Sequence, residues 1–184
     1  LAAHIDELPA KGDFLLWDKA GQPVLLVHDD RDQIVAFYNT CSHRGAPVVT
    51  ELSGNRRRFT CPYHGWSYNR EGELVAIRDP EDFHSLDLTQ RGLKPIRCER
   101  FGNLIFVNFD TDAPTLLDWL GPVAAEWEEV QCDNCRLAAR HVFGPFSSGC
   151  DRGKLGQDQA AKVFRGLRGP TACCEERALI GLEQ

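Results

Sequence analysis

The sequence contains no methionine in 184 residues and begins at Leu1. Translation starts on Met, so the expectation is that Leu1 is not a native start and that the chain is a piece of a longer polypeptide. Long apolar runs are also missing. The longest, such as Val24–Val27 and Leu104–Val107, are a few residues, where a membrane helix needs roughly 20. No apolar leader opens the chain, because Asp6, Glu7 and Pro9 interrupt the place it would occupy. Positive charge is scarce: the net charge is −6, and Arg56-Arg57-Arg58 is the one basic run. Membrane insertion and nucleic acid as the main partner are thereby excluded, since phosphate binding needs a basic face. The arginine run reads as a solvated turn between strands.

What is present is a globular composition, with 42% hydrophobic and 26% charged residues, enough in a chain of this length to bury a core. Residues 13–143 read mainly as short strands. The candidates are 14–17, 23–27, 33–38, 58–60, 66–68, 74–77, 93–100, 104–109 and 136–143, separated by turns such as His28–Asp32. The Leu104–Phe109 run has the apolar content of a strand buried on both faces. Pro114–Val130 reads as one late α-helix, capped by Asp112 or Thr115 and interrupted at Pro122. The fold class is all-β with that helix appended. From Gly144 the composition shifts: the last 41 residues hold 7 of the 16 Gly and 3 of the 8 Cys. The expected organisation is one domain over 1–143 and a poorly structured tail over 144–184.

The eight cysteines stand at 41, 61, 98, 132, 135, 150, 173 and 174. Their irregular spacing does not suggest a disulfide framework. Without a secretory signal, metal binding in a reducing compartment, the cytoplasm, is the better expectation. Two segments carry it: Cys41-Ser42-His43-Arg44-Gly45 and Cys61-Pro62-Tyr63-His64-Gly65-Trp66. Each loop offers one thiolate and one imidazole. Two such loops can clamp a two-iron cluster, with both sulfurs on one iron and both nitrogens on the other, so that His₂ replaces Cys₂ in a 2Fe–2S centre. Gly45 and Gly65 would let backbone approach the sulfides, and Pro62 would stiffen the second loop. A zinc site is the weaker alternative, because zinc fingers group their two Cys and then their two His.

These motifs resemble the Rieske family. The flanking Asn39-Thr40, Phe59-Thr60, Ser67-Tyr68 and Phe101–Phe109 resemble in particular the N-terminal domain of the large subunit of Rieske non-heme iron oxygenases, the aromatic-ring-hydroxylating dioxygenases and their monooxygenase relatives. Arg44 and Trp66 lean the motif that way. The resemblance covers about residues 5–143 and implies a Rieske-type antiparallel β-sandwich with a cluster-binding subdomain. It implies that Cys41 and Cys61 ligate one iron, and His43 and His64 the other. It further implies electron transfer from a reductase or ferredoxin to a mononuclear non-heme iron, within a trimer or larger homo-oligomer. Respiratory Rieske proteins resemble the motif but add a Cys to each loop, and a hydroxyl residue after the second Gly. Those positions are Ala46, Tyr63 and Trp66 here, which implies no interloop disulfide and a reduction potential at the low end of the Rieske range. The oxygen-activating iron of this family needs His-x₄-His and carboxylates. The remaining histidines, His4, His28, His84 and His141, give no such pair, so no catalytic residue is assigned and the chain alone is expected to be inactive. A stand-alone Rieske ferredoxin is the alternative reading.

Among the other features, Cys132-x-x-Cys135 and Cys173-Cys174 read as free thiols. Trp17, Trp119 and Trp127 read as packing residues, and Trp66 as packing that also shields the cluster. Arg44 is a candidate for pairing with a carboxylate, and Asp79–Asp82 and Glu126–Glu129 read as solvated faces.

Overall fold

The computed structural model describes residues 1–18, 21–84, 86–129, 136–137 and 167–168. Strands β1 (Ala3–His4), β2 (Asp13–Trp17), β3 (Val24–His28), β4 (Ile34–Tyr38) and β5 (Ser53–Asn55) belong to a seven-stranded antiparallel sheet. β9 (Pro95–Phe101) and β10 (Leu104–Asn108) complete it, in the order β1-β10-β9-β4-β3-β2-β5. A second, three-stranded sheet consists of β6 (Phe59–Thr60), β7 (Ser67–Tyr68) and β8 (Leu74–Ala76). Helices α1 (Leu116–Leu120) and α2 (Pro122–Glu129) follow, and β11 (Arg136–Leu137) pairs with β12 (Leu167–Arg168). The chain divides into two compact units, Leu1–Leu116 and Leu117–Gln184. Among the described residues no helix is long and apolar enough to cross a membrane.

β3 organises the first unit. Four of its five residues, Val24, Leu25, Leu26 and Val27, are fully buried, because successive side chains of a strand point to opposite faces and both faces are covered. Leu25 and Val27 join an inner core with Phe14, Phe37, Phe59, Trp66, Tyr68 and Leu74. Val24 and Leu26 join an outer core with Leu8, Leu15, Ala36, Ile96 and Ile105. The inner core is where the two sheets meet, and Cys41 and Cys61 lie in it.

The doubly buried strand is thus β3, and the expectation for Leu104–Phe109 is corrected. In β10 only Ile105 is buried, while Leu104, Phe106 and Val107 are half-buried and Asn108 is exposed. The break in the late helix does fall at Pro122. Gly121 turns there at φ 51, and Pro122 takes the first position of α2, where a missing N–H costs nothing. At the end of the first unit the Leu116 N–H donates to Glu99 Oε2 at 2.9 Å. Trp119 is 70% exposed and so is not a packing residue of the described chain. Trp17 and Trp127 are half-buried.

Three strands have no expected counterpart, β1, β5 and β12. β1 is two residues long, below what a period can reveal. β5 is Ser-Gly-Asn, which reads as turn chemistry, yet it pairs Asp13↔Asn55, Phe14↔Gly54 and Leu15↔Ser53. Gly54 suits this edge because a Cβ there would stand 2.9 Å from the Phe14 ring. Arg57 and Arg58 are exposed as expected, while Arg56 is half-buried, over the Phe14 ring and bonded to Glu51 at 2.6 Å. The boundary at Gly144, the tail character of 144–184 and both outlying cysteine pairs lie outside the described residues, apart from Leu167–Arg168.

The burial difference between β3 and β10 is directly measurable. Leu25→Ala should lower stability by about 2–5 kcal/mol in urea unfolding. Phe106→Ala should cost only about 1–2 kcal/mol, although the two runs are similarly apolar in sequence.

Candidate metal centre

Two loops of the same construction meet at one end of the inner core. The first, Cys41–Ala46, follows β4; the second, Cys61–Trp66, joins β6 to β7. In the first loop Cys41 N–H donates to Ala46 O at 2.8 Å, and Gly45 N–H donates to Cys41 O at 2.9 Å. In the second, Cys61 N–H donates to Trp66 O at 2.8 Å, and Gly65 N–H donates to Cys61 O at 3.0 Å. Each cysteine therefore closes its own ring of backbone bonds. Both rings turn through a glycine at positive φ, 75° at Gly45 and 74° at Gly65. A Cβ at either would meet no protein atom closer than 3.5 Å, so among protein atoms it is the left-handed backbone that selects glycine. Their own N–H groups are engaged inside the loops. Pro62, exposed, occupies a position whose N–H the ring does not use.

The scaffold places two thiols and two imidazoles together. Cys41 and Cys61 are 3% and 2% exposed. The His43 and His64 rings stand 4.5 Å apart between centroids, inclined at 70°. His43 Nδ1 is buried and has no hydrogen-bond partner; His4 Nε2 is the other such atom among the described residues. An orphaned buried ring nitrogen is costly unless something absent from the protein atoms takes it up. Burial, helped by the neighbouring His64 and Arg44, holds His43 below its ordinary imidazole range. The ring is thus kept in the neutral form that a metal ligand requires.

Burial also pushes the Cys41 thiol up, and Cys61 beside it adds to that, while the Tyr68 hydroxyl and the His43 backbone N–H oppose it. The Tyr68 hydroxyl accepts from the Ser42 N–H at 3.1 Å and lies 3.2 Å from Cys41 Sγ, where it can donate to a thiolate. Burial pushes the Tyr68 phenol well up, which keeps it a donor. Ser42 Oγ in turn donates to Gly92 O at 2.6 Å.

The rest of the expected set surrounds these four side chains. Trp66 is 2% exposed and stacks on His43 at 4.8 Å and 7°. Tyr63 is 62% exposed and lies over His64 at 3.8 Å. Arg44 is exposed and acts on His43 through its charge. Among the described residues, no three His, Cys, Asp or Glu side chains converge as a single bound ion would need. Two sulfur and two nitrogen donors, divided over two loops, suit a two-iron group with a pair of donors on each metal better than one tetrahedral ion.

Three contributors were not singled out from sequence. Asn39 is fully buried and brackets the first loop. Its Oδ1 accepts from Val48 N at 3.0 Å and Val49 N at 2.9 Å, and its Nδ2 donates to Val49 O at 2.7 Å. Ser42 anchors the loop to Gly92. Phe83 packs edge-on against His43 and Trp66; its one visible sign is an aromatic residue directly after the acidic Asp79–Asp82 turn.

Residues 1–90 match the Rieske [2Fe-2S] domain. The chain is 36% identical over 122 residues to the anthranilate 1,2-dioxygenase large subunit of Acinetobacter baylyi, covering 65% of this chain and 26% of that protein. It is 36% identical over 135 residues to the glycine betaine monooxygenase oxygenase subunit of Chromohalobacter salexigens, covering 72% and 30%. A crystal structure of naphthalene 1,2-dioxygenase bound to phenanthrene superposes with a TM-score of 0.70 at 33% identity, covering 76% of this chain and 32% of that one. The chain thus spans about a quarter to a third of the length of the curated relatives it matches.

Asn39→Ala would leave two amide donors and one carbonyl unsatisfied inside the protein. The expected loss is about 3 kcal/mol in equilibrium unfolding, against less than about 0.5 kcal/mol for the exposed Thr50→Ala nearby.

Proposed function

We propose that the chain belongs to the Rieske family, with the 2Fe–2S domain of oxygenase large subunits in its N-terminal region, and that Cys41, Cys61, His43 and His64 hold the cluster. Both thiols ligate one iron and both imidazoles the other. The observation that carries this reading is the meeting of two buried thiols and two facing imidazoles, one with an unpaired buried nitrogen, on two loops of like construction. Bound there, the cluster takes up and gives out one electron at a time.

The chain's own residues set the conditions for that exchange. The backbone rings fix the positions of the cysteines. Tyr68 directs its hydroxyl hydrogen to Cys41 Sγ and so favours negative charge on that sulfur. Trp66 excludes water from one face of His43. His64, under the exposed Tyr63, lies towards solvent and is where a partner approaches.

The whole protein is proposed to be an oxygenase of the ring-hydroxylating type, in which this domain passes electrons from a reductase or ferredoxin to a mononuclear non-heme iron. No histidine pair with the spacing of that iron site is present in the sequence. Homo-oligomeric assembly and a cytoplasmic location, where thiols stay reduced, belong to the same reading.

Iron and acid-labile sulfide should be found in equal amounts, with a Rieske-type electron paramagnetic resonance signal after reduction. Cys61→Ser or His64→Ala should abolish both, and an unchanged signal in either variant would overturn the ligand assignment. A redox titration should place the midpoint near about −150 mV, and a value above about +100 mV would contradict the low-potential reading. Tyr68→Phe removes a bond worth about 1 kcal/mol in favour of the more negative sulfur, so the midpoint should fall by about 20–60 mV.

A further inference from the structure

The two candidate imidazole ligands are held unequally. The His43 ring lies flat against Trp66, at 4.8 Å and 7°, and Trp66 is itself 2% exposed. Phe83 closes the arrangement, edge-on to His43 at 6.0 Å and 80° and to Trp66 at 5.8 Å and 74°. Edge-to-face contacts in this range are favourable geometries for aromatic rings. Among the described residues the aromatic contacts of His64 are His43 itself and Tyr63, and Tyr63 is 62% exposed.

Phe83 is delivered by a short, bonded segment. Asp79 adopts φ 53 ahead of the turn Pro80–Asp82, Phe83 N–H donates to Pro80 O at 3.1 Å, and Leu86 N–H donates to Phe83 O at 3.2 Å. Asp79, Glu81 and Asp82 are exposed, while Phe83 packs against the inner core that holds both cysteines. The acidic turn therefore faces water with its charges and inward with its aromatic ring. Orientation of a ligating imidazole commonly comes from a hydrogen bond to its other nitrogen, whereas its own side-chain torsion is broad. Around His43 the structure shows ring packing by Trp66 and Phe83.

We propose that Phe83 is a positioning residue, acting directly and through Trp66 to fix the plane of the His43 ring, so that His43 is the constrained ligand and His64 the freer one. The inference rests on the reading of His43 and His64 as ligands of the cluster.

The test uses the cluster-loaded protein and reads the ligand nitrogens by pulsed electron paramagnetic resonance, beside iron and sulfide content and thermal unfolding. Phe83→Leu keeps apolar volume but removes the ring edge; Phe83→Ala removes both; Tyr63→Ala uncovers the other imidazole. Both Phe83 variants should move one set of nitrogen couplings, and Tyr63→Ala should move the other. Phe83→Leu should do so with an unfolding midpoint close to that of the unsubstituted protein. Nitrogen couplings unchanged in both Phe83 variants, or both sets moving together, would overturn the positioning role and leave the centre intact. Iron and sulfide missing from the unsubstituted protein would overturn the reading of the centre itself.

Discussion

Two closed rings of backbone hydrogen bonds determine what this end of the molecule can do. In each, a cysteine donates through its N–H to the residue five positions on and accepts through its C=O from the glycine four positions on. That closure fixes the cysteine before any side chain is considered, and it requires a positive φ at the glycine. The histidine is free to stand third in one loop and fourth in the other, because neither position takes part in the ring. The unequal spacing, C-x-H against C-x-x-H, is thus compatible with equal scaffolding. It places the two imidazoles differently while keeping the two thiols alike.

The rings would be of little use on a mobile platform, and the rest of the unit supplies a rigid one. β3 is buried on both faces, so its four apolar residues tie the inner core to the outer core through one strand. The first loop leaves from β4, which pairs with β3 along its full length. The second is carried by the β6–β7 hairpin, whose Phe59 and Tyr68 are themselves in the inner core. Asn39 then joins the exit of β4 to Val48 and Val49 by three buried bonds. A shift at the loops would have to disturb a packed core, and such cores do not deform continuously.

Much of this was legible in the sequence, for a physical reason. Strands that alternate or run apolar, and turns that need Gly, Asp or Pro, leave local marks, and β2–β4, β6–β10 and the break at Pro122 all carry them. The ligand motif was legible because metal chemistry restricts residue type and spacing together. What escaped detection depends on partners far away in sequence. β5 is polar and becomes a strand because Phe14 needs Gly54 beside it. Leu104–Phe109 is as apolar as β3, but in β10 only Ile105 is buried, which depends on what packs on the sheet. Asn39 and Tyr68 could be seen as members of a motif, while their bonds to Val48, Val49, Ser42 and Cys41 are tertiary facts. Phe83 sits forty residues from His43, and no local pattern connects them.

The electronic character of the centre follows from which donors the fold keeps and which it omits. The Tyr68 hydroxyl lies 3.2 Å from Cys41 Sγ, where it can donate to a thiolate. The position that could supply a second such donor, directly after Gly65, is Trp66, which is stacked on His43. An indole stacked there excludes water and contributes packing. Water exclusion disfavours added negative charge, whereas a second hydroxyl would have favoured it. Each such bond is worth about 1 kcal/mol, or roughly 40 mV for a one-electron couple. With Ala46 and Tyr63 at the places where a bridging disulfide would stand, the two loops are coupled through aromatic packing and the Tyr68 bond instead of covalently. On the proposed reading, Trp66 places packing where a hydroxyl donor could stand, so the residue that stacks on the His43 ring would also keep the potential low.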